Sequence, residues 1–417
     1  MTAGQQAMRT HVVVGAGQAG AHAAVAMRRA GFGGRIVLIG EEASLPYDRP
    51  PLSKSFLLAE DEPRLTHFFE PAVFSSLRIE AMVGVKVEAI DLAARRIALT
   101  YGGGLDFDAL LLATGSRPRC LNVPGGERGL AIRTFDDASQ LRQRLIAGQS
   151  VVCIGAGVIG LEVAAAAQAR GCSVSVLDVE RTVMSRSLAP ELGVLVQQLH
   201  EHHGVTFEGA VAVAAIEGDS VVLGDGRRLP ADTVVCGIGV VRNIDLARAA
   251  GIATRAGILV DPYGRTSADG IYAAGEVAEF PLAGGHGVWE SWKHAQDHGA
   301  LVGRVMAGAA QPYNEVPWFW SDQYGVNIQV VGDATGAAAA QVVDRGKRDG
   351  PSFCAFFLDA QSHVIGAFGW NAPKEVAAAT RMIRRAMAIT PDRLADPSVS
   401  LQTVLATSSS PAVAQLV

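Results

Sequence analysis

Apolar residues fall along this chain in short unbroken runs of valine, isoleucine and leucine that alternate with alanine-rich stretches. An unbroken run of about five fits a strand covered on both faces, and an alanine-rich stretch of roughly ten fits the helix that covers it. Residues 11–15 predict the first such strand, 19–30 a helix closed by Gly31, and 35–39 a second strand ending in Gly40-Glu41-Glu42. A strand at 109–113 runs into Thr114-Gly115, and then the pattern restarts. Residues 150–154 predict a strand, 161–170 a helix and 173–177 a strand ending in Asp178. Segments 205–217 and 220–223 predict short antiparallel strands before the turn Gly224-Asp225-Gly226. A strand at 233–236 ends in Gly237-Ile238-Gly239, and GILVD and GIYAAGEV supply two more.

The interruptions organise these elements. LPYDRPPLSKSF holds three prolines, which forbid helix or central strand there. The second unit is contiguous from 118 to 241, so the first must be completed by chain on both sides of it, 1–117 and 242–315. One α/β domain is thus inserted into another. A proline-aromatic junction from Pro312 to Trp320 opens a third region, 316–417, with strand-like pieces at 328–331, 353–358 and 364–368 and a helix at 374–388.

Composition narrows the class. A chain of 417 residues is too long for one core. The net charge of −5 argues against nucleic acid as the main partner. Five cysteines, none in a CxxC pair, fit a reduced, cytoplasmic chain. The first ten residues carry no apolar leader, and the uncharged run 145–161 holds Gln149, Ser150 and the three fingerprint glycines, which suits a loop and buried strand better than a membrane span.

The two strand–turn–helix junctions carry the chemistry. VVVGAGQAG places Gly15, Gly17 and Gly20 in the first, and VVCIGAGVIG places Gly155, Gly157 and Gly160 in the second. Glycines let the backbone approach a pyrophosphate, and the helix N-terminus offers free N–H groups and a positive dipole end. Glu41 and Asp178, at the ends of the next strands, supply the carboxylates that bond a ribose hydroxyl pair. Asp178 favours NADH, because it repels the extra phosphate of NADPH, although Arg181 nearby offsets part of this.

Eight stretches together carry a resemblance over nearly the whole chain: VVVGAGQAG, LPYDRPPLSK, LLATGSRPR, RTFDDA, VVCIGAGVIGLE, GIYAAGEV, ESWKHAQ and PWFWSDQ. The chain resembles the FAD-dependent, NADH-oxidising ferredoxin reductases of bacterial oxygenase systems. The resemblance implies a glutathione-reductase-like fold. Two Rossmann-like domains are expected, one for FAD (1–117 and 242–315) and one for NAD (118–241), with a C-terminal α+β domain (316–417). It implies FAD contacts at Gly15, Gly17, Ala19, Gly20, Glu41, Arg49, Lys54, Val87, Thr114, Gly115, Arg133, Glu276 and Trp292. It implies NADH contacts at Gly155, Gly157, Val158, Ile159, Gly160, Asp178 and Gly239. Lys54 and Glu162 are implied as a pair beside the flavin ring, and Trp320 as an indole on the side where electrons leave; Trp318 reads as packing. The family has Gly-Asp where this chain has Gly275-Glu276, so the carboxylate there stands one methylene further out.

The exit route follows from the cysteines. Disulfide reductases of the superfamily keep CxxC near the first helix, and oxygen- or peroxide-reducing relatives keep one cysteine in the loop that here reads EEASLPYDRPPLSKSF. With no thiol to take two electrons together, the reading is transfer of single electrons to a [2Fe-2S] ferredoxin, or a rubredoxin, that feeds an oxygenase. An NADH oxidase or peroxidase-like flavoprotein, or a redox-signalling one, stands as the alternative. An acidic partner would want a basic face, for which Arg381, Arg384, Arg385 and the cluster Arg345, Lys347, Arg348 are the candidates, each read more simply as solvated surface. LHEHHG, with His200, His202 and His203, lacks metalloprotease spacing and reads as a solvated helix end. The tract 337–340 reads as a loop or short helix.

Overall fold

A computed structural model describes residues 8–282, 285–309 and 311–407, so the expected lack of a leader rests mostly on residues outside that range. The chain forms two compact units, one of residues 1–48, 64–117 and 240–315, the other of 49–63, 118–239 and 316–417.

The first unit is built on a five-stranded parallel sheet, in the order Ile271–Ala273, Ala109–Leu112, Thr10–Val14, Arg35–Gly40, Ile79–Val83. Val12 lies opposite Val37 on one side and Leu110 on the other, and all three are fully buried. That burial is why these strands read as unbroken apolar runs. Helices Gln18–Arg29 and Trp292–Met306 pack side by side on the sheet. Gly299 and Gly303 allow the close approach, since a Cβ on either would stand 2.2 Å from the carbonyl oxygen of Ala19 or Ala23. An antiparallel sheet of Val87–Asp91, Arg96–Leu99 and Gly104–Asp106 shares the core on the other face.

The second unit repeats the plan with four parallel strands, in the order Thr206–Glu208, Ser173–Leu177, Ser150–Ile154, Thr233–Cys236. Its C-terminal part is a five-stranded antiparallel sheet, in the order Trp318–Gln323, Val326–Gly332, Val364–Trp370, Phe353–Leu358, Gln341–Gly346. Helix Pro373–Arg384 buries Val376, Ala379 and Met382 against it. Two parallel dinucleotide-type sheets and a C-terminal α+β region make up the expected fold class. Among the described residues, no helix is long and apolar enough to cross a membrane.

Four local expectations need correction. The proline-rich stretch is not plain loop: Pro50–Ser53 forms a tight 3-10 turn and Ser55–Leu58 one helical turn. Proline at the start of a turn loses only an N–H that would be unpaired there anyway. The segment 205–217 is two strands, because Gly209 and Ala210 (φ 58°) break it. Thr206–Glu208 pairs parallel with Ser173–Leu177, and only Val213–Glu217 joins an antiparallel hairpin. The second fingerprint helix starts at Val158 rather than 161, directly after Gly157. The late helix stops at Arg384, where Arg385 and the left-handed Ala386 (φ 45°) end it.

Candidate functional site

The two glycine turns have the same geometry. Gly15 (φ 107°) and Gly155 (φ 100°) adopt the left-handed backbone their positions demand. A Cβ on Gly20 would lie 1.9 Å from the Gly15 carbonyl oxygen, and one on Gly160 would lie 2.0 Å from that of Gly155. A Cβ on Gly17 or Gly157 would meet nothing of the protein within 4 Å. Both residues cap their helices in extended backbone without a side-chain hydrogen bond. Space and free helix N–H groups therefore sit at each turn, which is what a pyrophosphate requires. Val158 and Ile159 form the first turn after Gly157, with Ile159 exposed.

Around the first turn the structure gathers much of the implied FAD set. The Cβ a substituent would place on Gly15 falls 2.2 Å from the Ala113 carbonyl oxygen, so the strand leading to Thr114-Gly115 abuts the fingerprint. Asn243, which no motif marks, fixes that turn: it accepts the Thr114 hydroxyl at 2.8 Å on its carbonyl oxygen, donates its side-chain amide to the Thr114 carbonyl at 2.9 Å and donates its N–H to the Gly115 carbonyl at 2.9 Å. Gly275 (φ 77°) packs against Ala19, and the neighbouring Glu276 carboxylate accepts the Ser116 hydroxyl at 2.8 Å. Trp292 donates its indole N–H to Asp48 at 2.6 Å. Val87 is buried in the core of this unit, and Glu41 is exposed, 3.4 Å from Lys86.

In the second unit, Asp178 accepts the Ala156 N–H at 2.6 Å and the Glu180 N–H at 2.9 Å. Its carboxylate braces the fingerprint turn and keeps lone pairs for a sugar hydroxyl. Gly239 (φ 95°) carries its carbonyl to the Arg119 N–H at 2.9 Å. Arg49 donates to the Arg133 carbonyl, which ties two of the implied FAD residues together.

One ion pair of this unit is built on a buried carboxylate. Glu162 lies in the second turn of the second fingerprint helix and is 2% exposed. Its Oε1 meets the Lys54 Nζ at 2.8 Å and the Ser321 hydroxyl at 2.6 Å, and its Oε2 accepts the Ser53 hydroxyl. The Lys54 ammonium also lies 5.8 Å from the Trp320 ring centroid, within cation–π reach. Trp320 stacks on Trp318 at 5.3 Å, and Trp318 packs on the C-terminal core. The structure thus brings together Lys54, Glu162 and Trp320, and adds Ser53 and Ser321, to which the motifs containing them assign no role.

Other expectations change. His200 is not solvated: it is 2% exposed and its Nε2 lies 2.7 Å from the Gln323 Oε1, while His202 and His203 are exposed. Its ring falls on the buried face of helix Pro190–His202, one helical turn from Val196. Arg345 is not available as a docking group, because it donates to the carbonyls of Leu394, Asp396, Pro397 and Val399. Arg348 is paired with Asp344 at 2.6 Å. Arg381, Arg384 and Arg385 remain exposed at the end of their helix. The tract 337–340 contains a turn and no helix. All five cysteines are free; burial pushes Cys153 up to about 12 and Cys236 up to about 11, and raises Cys172 and Cys354. Only Cys120 is exposed.

Residues 9–299 match the pyridine nucleotide-disulphide oxidoreductase family, and residues 318–405 match the reductase C-terminal family. The chain belongs to the pyridine nucleotide-disulphide oxidoreductases. It is 41% identical over 394 residues to the ferredoxin–NAD(+) reductase component of the p-cumate 2,3-dioxygenase system of Pseudomonas putida, covering 94% of this chain and 97% of the relative. It is 36% identical over 403 residues to the corresponding component of the biphenyl dioxygenase system of Paraburkholderia xenovorans, covering 95% and 98%. Among solved structures, putidaredoxin reductase in its covalent complex with putidaredoxin matches with a TM-score of 0.90 at 33% identity, covering 95% of this chain and 98% of that one. The resemblance read from the motifs, to ferredoxin reductases of oxygenase systems, therefore holds, and the chain is an oxidoreductase.

Proposed function

We propose that this chain takes a hydride from NADH onto FAD and delivers single electrons to a [2Fe-2S] ferredoxin that feeds an oxygenase. The observation that carries this reading is the ion pair between Lys54 and the buried Glu162 in the second turn of the second fingerprint helix, with Trp320 near the ammonium. FAD, when bound, supplies the step between a two-electron donor and a one-electron acceptor. The protein's part is to bind, orient and set charge. Gly15, Gly17, Ala19, Gly20, Glu41, Val87, Thr114, Gly115, Glu276 and Trp292 hold FAD, with Arg49, Arg133 and Lys54. Gly155, Gly157, Val158, Ile159, Gly160, Asp178 and Gly239 hold NADH, and Asp178 turns away NADPH. Lys54 presents positive charge where electron density builds up, and Glu162 keeps that ammonium from turning to solvent. Trp320 stands on the side where electrons leave. The domains follow the same division: 1–117 with 242–315 for FAD, 118–241 for NADH and 316–417 as the C-terminal domain, in a cytoplasmic enzyme.

Four of the five thiols are buried and held protonated, and none of the five lies in the loop 41–56, where a thiol that takes the electrons as a pair would sit. The test is anaerobic reduction of the FAD-loaded protein by NADH, followed by turnover with a [2Fe-2S] ferredoxin, a rubredoxin, oxygen or hydrogen peroxide. Ferredoxin should be reduced fastest. Faster turnover with oxygen or peroxide would replace this reading with the oxidase one.

Gly160→Ala gives a separate check on the second fingerprint. Its methyl would meet the Gly155 carbonyl oxygen at 2.0 Å, so the turn must open. NADH half-saturation should rise at least about tenfold, the loss of roughly one good contact, while bound FAD stays at the wild-type ratio. Loss of FAD with unchanged NADH affinity would reverse the assignment of the two fingerprints.

A further inference from the structure

Glu162 is the end of a buried chain of polar groups, and chemistry fixes the direction of every link. A carboxylate without a proton cannot donate, so the 2.6 Å contact between Ser321 and Glu162 places the serine proton on the side of the carboxylate. Ser321 has then no proton for its other neighbour, and Gln323 must present its NH2 to the Ser321 Oγ, at 2.9 Å. The Gln323 Oε1 therefore faces His200, and the His200 Nε2, 2.7 Å away, must carry the proton. That leaves the His200 Nδ1 as the acceptor facing the Tyr324 hydroxyl at 3.4 Å. Every group from Tyr324 inward donates towards the negative charge, and hydrogen bonds aligned in this way strengthen one another.

The chain is built into the fold. Ser321 and Gln323 are 0% and 1% exposed, and they sit two apart on one face of the strand Trp318–Gln323. Tyr324 and Gly325 follow with φ of 51° and 77°, so both positions of the two-residue hairpin turn are left-handed. Tyrosine seldom adopts that backbone, and here it stacks the ring on His203 at 3.8 Å and sets it edge-on to His200, 5.0 Å away. Burial holds His200 neutral, lowering it to about 4.

We infer that His200, acting through Gln323 and Ser321, is a positioning residue that locks the Glu162 carboxylate, and with it the Lys54 ammonium, into one orientation. This rests on the proposed role of Lys54 and Glu162 at the flavin. None of the three is a catalytic residue; each acts through Glu162.

The experiment has two arms. In the first, the FAD-loaded protein is labelled with [15N]histidine, and the His200 signal is assigned by its loss in His200→Gln. The expected result is a neutral Nε2–H tautomer at pH 7.5; the Nδ1–H tautomer would overturn the chain's direction and the proposal with it. In the second, the limiting rate of flavin reduction by NADH is measured for His200→Leu and His200→Gln. Glutamine can still donate to the Gln323 Oε1, and leucine cannot. Losing a bond worth about 1 kcal/mol predicts a roughly fivefold slower rate in His200→Leu, with unchanged NADH half-saturation. His200→Gln should restore the rate. Equal rates for the two variants would overturn the proposal. If Lys54→Ala leaves reduction unchanged, the flavin role of the ion pair fails, and the tautomer still decides whether the chain orients Glu162.

Discussion

Lys54→Ala will reduce its flavin with NADH about a hundredfold more slowly than the wild type, the scale on which a single positioned charge acts in a water-poor site. It will also lose stability, because the Glu162 side chain is 1% exposed and would keep only two serine hydroxyls for its charge. Removing one partner of such a pair costs about 3–5 kcal/mol, most of it the penalty of the charge left behind. A double variant, Lys54→Met with Glu162→Gln, takes both charges away. It should recover most of the stability and none of the rate. Stopped-flow reduction together with urea denaturation separates the two roles: a double variant as fast as the wild type would make the pair a plain structural salt bridge.

Acidification from pH 7.5 to 5 will destabilise the protein by several kcal/mol before its carboxylates titrate. Burial lowers His11, His200 and His294 to about 4 each and His298 well below its usual value. The unfolded chain takes up these protons as the pH falls through 6.5, and the folded chain refuses them until about 4. Stability is therefore full above pH 6.5 and declines steadily below it. Each of the first three contributes about 2 kcal/mol over that interval. His11 is held neutral against Phe32, stacked at 3.8 Å, and His294 and His298 lie in a cluster with Phe280, Trp289 and Tyr313. The urea midpoint should fall steadily between pH 7.5 and 5, and His200→Gln should flatten the slope by one proton. A midpoint that is constant over this range would contradict the burial of these rings.

The parallel strands were legible because a strand buried on both faces leaves an unbroken apolar run, and 150–154, 173–177 and 233–236 fall where the sequence places them. Both fingerprints were legible because glycine has no substitute where a carbonyl lies 2 Å from the missing Cβ. What the sequence hid are partners made by long-range packing. Nothing near Glu162 announces Ser321, 159 residues away, and nothing near Thr114 announces Asn243. His200 looked solvated because its neighbours His202 and His203 are, and only the position of the ring on its helix decides otherwise. One further signal is readable in the sequence: Thr134 and Asp137 form a reciprocal cap that starts helix Phe135–Arg144, and the pattern TFDD announces it.

The packing of Gly275, Gly299 and Gly303 onto the first fingerprint helix carries a consequence for synthesis. Gly20 leaves the ribosome early, yet the cradle around it needs Gly275 against Ala19 and the late helix Trp292–Met306 alongside. The sheet beneath the second fingerprint is complete once Cys236 has emerged. The fingerprint translated first is therefore the one finished last, and a nascent chain cannot load a dinucleotide there before Met306 is free. Cofactor supply matters at the end of translation, and chains cut short before that helix should be recovered without cofactor at the first fingerprint.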